Sequence, residues 1–126
     1  MNLVDSSGWV HFFFNGPLAE RYASFILKPD SVVTPTIVIY EVYKKLRHQD
    51  NDDQDAILAA SQMRKTHVVP LTDETALAAA DISLEHRLSM ADAIIYATAQ
   101  MHHAELVTSD TDFKNLPGVL FISPKE

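Results

Sequence analysis

The sequence contains no cysteine and only three glycines, and each of these scarcities excludes a class of site. Without cysteine the chain has no disulfides and no thiolate metal ligands, which fits a reducing cytoplasm. Three glycines do not supply the glycine-rich loops that cradle phosphates, so the P-loop and the dinucleotide-binding fingerprint are excluded. Any site in this protein must therefore be built from other side chains.

Long apolar runs and basic leader sequences are also missing. No segment approaches the roughly 20 apolar residues that a membrane span needs. The opening segment MNLVDSSGWV has no basic residue and carries an acid at Asp5, so it does not predict a signal peptide. We therefore expect a cytoplasmic protein with no membrane association.

Basic charge is in short supply. Ten lysines and arginines face 17 acids, for a net charge of −7, whereas domains that grip nucleic acid through a basic surface usually have a pI above about 9. Bound cations can reverse the local field of an acidic chain, so the charge argues only mildly against a nucleic-acid substrate. The length of 126 residues predicts a single domain spanning residues 1–126.

Short apolar segments alternate with helical segments along the chain. The predicted strands are MNLV (1–4), SVVT (31–34), HVVPL (67–71), ELVTS (105–109) and VLFIS (119–123). The predicted helices cover residues 8–14, 18–27, 36–48, 50–65, 73–86 and 90–103, with Thr34–Pro35, Thr72 and Ser89 as helix-start signals. This alternation predicts a compact three-layer α/β domain with a parallel sheet.

Acidic residues follow two of the predicted strands. Asp5 ends the first strand and Asp110 the fourth, with Asp112 two residues later. Ligands of parallel sheets bind beyond the carboxyl ends of the strands, so these acids are candidate site residues. The alternatives are local: Asp5 as a helix N-cap, and Asp110 and Asp112 as turn or cap residues.

Two helical acids are further candidates. Glu41 is the only charged residue in IVIYEVY, and its alternative is a solvated carboxylate paired with Lys45 at i+4. Asp92 shares a stripe with the apolar residues Ile95 and Tyr96, and its alternative is a capping box with Ser89.

The combination of these acids matters more than any one of them. Two unit charges about 4 Å apart near a protein surface repel by about 4 kcal/mol, which exceeds what capping returns. Carboxylates gathered at one rim therefore predict bound cations, and an all-oxygen site suits Mg²⁺ or Mn²⁺ rather than zinc.

Four motifs, in order, carry a resemblance to a known family. DSSGW at Asp5, the isolated Glu41, LSMADAIIYATA around Asp92 and TSDTDF around Asp110 resemble the motifs of PIN domains. They are most similar to the VapC-type ribonuclease toxins of toxin–antitoxin pairs. The resemblance implies a PIN-like α/β/α sandwich on a parallel sheet of four or five strands. It also implies a Mg²⁺- or Mn²⁺-dependent endoribonuclease of the prokaryotic cytoplasm.

The resemblance also implies residue roles. Asp5, Glu41, Asp92 and Asp110 match the catalytic acidic quartet, Asp112 matches an accessory metal-binding acid, and Ser7 matches a supporting hydroxyl residue. Divalent ions held by these acids would activate a water near neutral pH, so cleavage would leave 5′-phosphate and 3′-hydroxyl ends. The partners implied are an RNA substrate, a cognate antitoxin and a second copy in a homodimer.

A run of three aromatics, at residues 12–14, suggests a partner-binding surface. By resemblance, Phe12, Phe13 or Phe14 would line the antitoxin groove together with the 18–27 helix. The alternative is burial of two rings with one partly exposed. The nearby cations Lys44, Lys45 and Arg47 are candidate phosphate contacts, although a solvated helix face is the commoner use of such residues.

Two other functional classes remain open from sequence. One is a PIN-like binding module that has lost catalysis, although all four quartet acids are present. The other is an α/β phosphoryl-transfer protein, which also places Asp after the first strand. Haloacid-dehalogenase-like phosphatases need a second Asp where this chain has Ser7, and receiver domains need a late lysine that VLFIS lacks. The six histidines lie outside the acidic motifs and are interpreted as surface or core residues.

Overall fold

A computed structural model describes residues 1–49 and 53–123 of the chain. The strands are β1 (Asn2–Val4), β2 (Val33–Pro35), β3 (His67–Val69), β4 (Glu105–Thr108) and β5 (Val119–Phe121). The helices are α1 (Ser6–Phe13), α2 (Ala19–Ile26), α3 (Thr36–Gln49), α4 (Asp53–Arg64), α5 (Asp73–His86) and α6 (Met90–Met101). Short 3-10 turns cover Pro29–Ser31 and Thr111–Phe113. The helix start predicted at residue 50 lies outside the described residues.

The α/β class and the parallel pairing are confirmed, whereas the prediction of one sheet with four or five strands is wrong. The strands form a three-stranded sheet in the order β1-β4-β5 and a separate β2-β3 pair, all parallel. Among the described residues, one bridge between Asn2 and Val32 links the two groups. The turn at Pro29–Ser31 and the immediate start of α3 leave β2 only three residues long. Pro35, its last residue, has no N–H to donate.

The predicted helix starts are correct at two of three places. Thr72 and Ser89 are N-caps whose hydroxyls accept from the N–H groups of Thr75 and Asp92. The prediction that Thr34–Pro35 begins a helix is wrong, because both residues belong to β2. Thr34 instead shares a 2.5 Å hydrogen bond with the hydroxyl of Thr66, just before β3.

The core is centred on the paired strands β1 and β4. Leu3, Val4, Leu106 and Val107 are fully buried, as expected for parallel strands whose both faces are covered. Helix α6 contributes a continuous buried segment from residue 93 to residue 99 and packs against β4. None of the helices in the described ranges is long and apolar enough to cross a membrane.

The register of β1 against β4 positions the site. Val4 pairs with Val107, and the N–H of Asp5 donates to the carbonyl of Val107 at 3.2 Å. The two strands run in the same direction, so the residues that follow them emerge at one edge. Asp5 and Asp110 therefore reach the same rim, as their positions in the sequence predict.

Candidate active site

Asp5 is a buried carboxylate at the junction of β1 and α1. It is the N-cap of α1, and its Oδ1 accepts from the N–H of Gly8 at 3.0 Å. The hydroxyl of Ser7 donates to both carboxylate oxygens, at 3.1 and 2.9 Å, and Thr108 Oγ1 donates to Oδ2 at 2.5 Å. Three donors occupy most of the roughly four acceptor positions of a carboxylate, so the orientation of Asp5 is fixed from several sides.

Burial dominates the ionisation of Asp5. Only 4% of the residue is exposed, and loss of hydration raises the pKa of its carboxyl from 3.8 to about 6. The charge of Asp110 raises the pKa further, while the hydrogen bonds from Thr108, Gly8 and Ser7 lower it. A carboxylate with a raised pKa beside other acids is typical of a functional site.

Three aspartates form a compact cluster next to Asp5. Oxygens of Asp92, Asp110 and Asp112, one from each carboxylate, all lie within 4.8 Å of one another. Asp110 caps the 3-10 turn Thr111–Phe113 and accepts from the N–H of Asp112 at 2.9 Å. The local turn-and-cap interpretation of these residues is therefore correct as geometry, and the same turn brings two carboxylates together.

Asp92 is held in this cluster by the first turn of α6. Burial is the largest cause that raises the pKa of Asp92 to about 6, and the charges of Asp110 and Asp112 come next. Glu41 adds a smaller contribution in the same direction. The acids therefore share one electrostatic environment although they come from separate segments of the chain.

Glu41 reaches the site from α3. Its Oε1 accepts a 2.5 Å hydrogen bond from the hydroxyl of Ser6, which joins the first turn of α1 to α3. Within the described residues no ion pair joins Glu41 to Lys45, so the solvated i+4 pair is not formed. Ser6 holds the carboxylate in its place.

One open cavity of about 480 Å³ connects these side chains. Its acidic lining comes from Asp5, Glu41, Asp92 and Asp110, and Ser6 and Ser7 lie beside them. The remaining lining is Val10, Tyr40, Lys44, Lys45, His48 and Ile95. The structure thus brings all four quartet positions to one cavity, and an oxygen of Asp112 lies within 4.8 Å of oxygens of Asp92 and Asp110. In the described chain, Asp5 and Glu41 lie outside the tight three-aspartate cluster.

Several site residues escape the sequence patterns. Ser6 and Thr108 contact the acids directly, and the buried Tyr22 donates from its hydroxyl to Ser109 Oγ at 2.9 Å. Burial and the nearby charge of Asp5 raise the pKa of Tyr22 to about 12, so this hydroxyl stays protonated as a donor. Of these residues, Thr108 could have been identified as a site residue from the sequence, because it lies at the end of a predicted strand, at the rim where Asp5 is expected.

The aromatic run of α1 divides between core and surface. Phe12 and Phe13 pack against the core, and the ring of Phe13 stacks on buried Trp9 with centroids 6.0 Å apart. Phe14 is 41% exposed. Two rings are therefore partly buried against the core, and the third is exposed at the end of α1.

Comparison with known proteins identifies the fold family. A family model described as the PIN domain matches residues 3–119. The chain belongs to the PIN domain family. A toxin–antitoxin complex from Klebsiella pneumoniae is similar to this chain, with 27% identity and a TM-score of 0.80 over 100% of this chain and 99% of that one.

Two further solved structures share the PIN fold at lower identity. VapC20 of Mycobacterium tuberculosis, a sarcin–ricin loop cleaving toxin, has a TM-score of 0.73 at 22% identity and covers 90% of this chain and 92% of that one. VapBC2 of Rickettsia felis, bound to a DNA fragment from its promoter, has a TM-score of 0.75 at 13% identity, with 96% of each chain covered. No curated protein sequence matches this chain significantly.

Membership of the PIN family gives the acidic cavity its context. PIN nucleases generally use divalent metal ions, and the cluster of Asp92, Asp110 and Asp112 offers only oxygen donors. Such donors suit hard divalent cations. Membership also favours a nuclease over the phosphoryl-transfer class that shares an aspartate after the first strand.

Proposed function

We propose that this PIN domain, spanning residues 1–126, is a metal-dependent endoribonuclease and the toxin of a toxin–antitoxin pair. One observation carries the proposal: acids from four separate segments converge on one open cavity, and two of them, Asp92 and Asp110, have oxygens within 4.8 Å of each other and of an oxygen of Asp112. Like charges at such spacing repel unless cations offset them. The turn and cap at Asp110 account for the position of Asp112, but they do not account for the approach of Asp5, Glu41 and Asp92 from other segments.

Mg²⁺ or Mn²⁺ is the cation proposed for this site. Asp92, Asp110 and Asp112 would hold it, and Asp5 and Glu41 would complete its surroundings, either directly or through water. When bound, such an ion lowers the pKa of a water and offsets charge on a phosphate. The absence of sulfur and imidazole donors in the cluster favours these hard ions over zinc.

The protein's own groups orient the reaction. Ser7 and Thr108 fix the carboxylate of Asp5 from two directions, and Ser6 fixes Glu41 on the other side of the cavity. With pKa values raised to about 6 in the metal-free protein, Asp5 and Asp92 are mainly ionised at neutral pH, so both are carboxylates that can face a cation. Hydrolysis by water leaves 5′-phosphate and 3′-hydroxyl ends.

Cleavage of total cellular RNA by the purified protein tests this function. Reactions contain Mn²⁺ or EDTA, and the variants are Asp110→Asn and the matched control Asp81→Asn, an exposed acid on α5. We expect discrete metal-dependent cuts, and the rate of cleavage should be more than about 100-fold lower in Asp110→Asn. Substituting even a residue that hydrogen-bonds to a metal ligand typically lowers activity about 10- to 100-fold, and Asp110 is proposed as a ligand itself. Asp81→Asn should cut like the wild type.

Other outcomes point elsewhere. Equal cutting by Asp110→Asn would indicate a contaminant or another site. A folded protein that binds Mn²⁺ and cuts no RNA would favour the catalytically silent binding module.

The antitoxin partner is supported by the neighbouring toxin–antitoxin complexes. We propose that Phe14, which is exposed at the end of α1, contributes to the antitoxin groove beside α2, with Phe12 and Phe13 behind it. Phe14→Glu should weaken binding of the cognate antitoxin at least tenfold, whereas Leu58→Glu, an exposed leucine on α4, should not. Unchanged affinity in Phe14→Glu would remove this residue from the groove.

The remaining proposals concern assembly and location. A homodimer is proposed by resemblance to the family, and light scattering coupled to gel filtration measures it directly. A cytoplasmic location is proposed for the same reason, and cell fractionation with an antibody to the chain tests it.

A further inference from the structure

The cavity has a second wall whose chemistry is opposite to that of the acids. Helix α3 supplies this wall through Tyr40, Lys44, Lys45 and His48, which we call the α3 wall. Lys44 and Lys45 follow Glu41 by three and four residues, so all three lie on adjacent parts of one helical face. A chain with a net charge of −7 thus places two of its ten cations against its acidic cavity.

Screening makes these local cations more important than the net charge. At physiological ionic strength, charges separated by more than about 8 Å are largely screened. A phosphate that approaches the cavity therefore experiences mainly the nearest groups, namely the acids with their cation and the two lysines. The acidic composition of the whole chain does not prevent anion binding at the α3 wall.

Tyr40 is the second unusual feature of this wall. Tyr40 lines the cavity, and 60% of the residue is exposed to solvent. The Nζ atom of Lys44 lies 5.5 Å from the ring centroid and 3.4 Å from the hydroxyl oxygen. An exposed ring beside cations is the combination that binds single-stranded nucleic acids, where bases stack on aromatic rings and cations track the backbone.

A neighbouring pair on the same helix shows what the wall excludes. Arg47 lies over the ring of Tyr43 at 5.6 Å and donates to its hydroxyl at 2.9 Å. Arg47 also forms a 2.8 Å ion pair with Asp53, and neither Tyr43 nor Arg47 lines the cavity. This pair has similar chemistry without access to the site, so it is a natural control.

We propose that the α3 wall binds the single-stranded RNA next to the cleaved bond, with Tyr40 stacking on a base and Lys44 and Lys45 contacting phosphates. The inference rests on the proposed nuclease function and adds the residues that hold the substrate. Since stacking tolerates every base, the wall provides affinity and positioning rather than a sequence code. RNA is favoured over a peptide because the wall opens onto the cavity that holds the acids.

Binding measured separately from cleavage tests the wall. The Asp110→Asn variant with Mg²⁺ and a fluorescent 12-nucleotide RNA of mixed sequence gives an anisotropy Kd over a range of salt concentrations. Adding Tyr40→Leu should raise Kd about tenfold, a typical effect of removing one stacked base contact. Adding Tyr40→Phe should leave Kd within about twofold, since the ring is retained.

The lysines give a second readout. Each phosphate contact to a single strand adds about 0.7 to the slope of log Kd against log salt. The double substitution Lys44→Ala/Lys45→Ala should therefore lower this slope by about 1.4, whereas Arg47→Ala should leave both slope and Kd unchanged.

The outcomes separate the wall from the nuclease. Unchanged RNA affinity in Tyr40→Leu and the double lysine variant overturns the wall, even if the wild type cuts RNA. Loss of antitoxin binding with unchanged RNA binding also overturns it and assigns α3 to a protein interface. Weakened RNA binding in these variants supports the wall, even if the wild type cuts nothing and the proposed nuclease function fails.

Discussion

Thr108 Oγ1 donates a 2.5 Å hydrogen bond to Oδ2 of the buried carboxylate of Asp5. Thr108 Oγ1 also accepts a hydrogen bond from the N–H of Asp110 at 2.9 Å. One hydroxyl at the end of β4 thus joins two of the acids that the sequence places 105 residues apart. Its removal is the most direct test of how the site is held.

Thr108→Val should destabilise the protein and alter its pH dependence. The substitution keeps the shape but leaves a buried carboxylate short of a donor, which typically costs about 1–3 kcal/mol. Because this hydrogen bond lowers the pKa of Asp5, its loss should move the acidic limb of the cleavage profile to higher pH. Urea denaturation and a pH–rate series measure the two effects. Thr108→Ser should resemble the wild type, and equal behaviour of the valine and serine variants would show that the hydroxyl is unimportant.

Asp5→Asn should stabilise the metal-free protein at neutral pH while abolishing cleavage. Burial in the folded state raises the pKa of Asp5 from 3.8 to about 6, so folding is favoured when Asp5 is neutral. The contribution of neutral Asp5 to the free energy of unfolding is fully present below about pH 4 and is lost as the pH rises through 6. At 1.36 kcal/mol for each pKa unit, the difference reaches roughly 2–3 kcal/mol above pH 7. Asparagine is also a good N-cap.

Urea denaturation in EDTA at pH 4.5 and 7.5 measures this difference. The free energy of unfolding of Asp5→Asn, relative to that of the wild type, should be higher at pH 7.5 than at pH 4.5. The corresponding difference for Asp81→Asn should change little with pH. A gain as large at pH 4.5 as at pH 7.5 would show that ionisation of Asp5 is not its cause.

Ser6→Ala should lower cleavage about tenfold with little effect on stability. Its hydroxyl orients Glu41, and groups that orient acids of metal sites typically contribute 10- to 100-fold. Ser6 is half-buried, so its loss leaves Glu41 accessible to water. The matched control is Ser24→Ala, because the exposed hydroxyl of Ser24 donates to the backbone carbonyl of Arg21 and Ser24 does not line the acidic cavity. Equal rates in the two variants would exclude a positioning role for Ser6.

Gly8→Ala should destabilise the fold although alanine favours helices. An added Cβ would lie 2.4 Å from Cε1 of Tyr22 and 2.7 Å from Cγ1 of Val4, both buried. Overpacking of this kind typically costs about 1–3 kcal/mol, against a propensity gain of about 1 kcal/mol. Thermal unfolding measures the loss, which should shrink in a Tyr22→Leu background because the ring is gone. If Gly8→Ala lowers stability as much in the Tyr22→Leu background as in the wild type, the clash with the Tyr22 ring is not its cause.

Sequence patterns predict those parts of this structure that depend on local order. Asp5 and Asp110 each follow a short apolar segment, so a parallel arrangement is enough to bring them to one rim. The division of the strands into groups of three and two is not predictable this way. It arises because β1 and β2 meet, among the described residues, at the one bridge between Asn2 and Val32, and no sequence pattern marks where pairing between two strands stops. The bond from Ser6 to Glu41 is equally hidden, since it depends on how α1 crosses α3. Ser6 precedes the residue that the motif marks, and its sequence context gives it no distinguishing feature.

The pairing of β1 with β4 has a consequence for how this site tolerates change. Each residue advances a strand by about 3.3 Å, and Val4 pairs with Val107. An insertion or deletion of one residue within either strand would therefore shift Asp5 past Thr108 by more than the length of their hydrogen bond. It would also turn every following side chain to the opposite face. Point substitutions adjust this site by degrees, whereas a change in strand length removes it in one step.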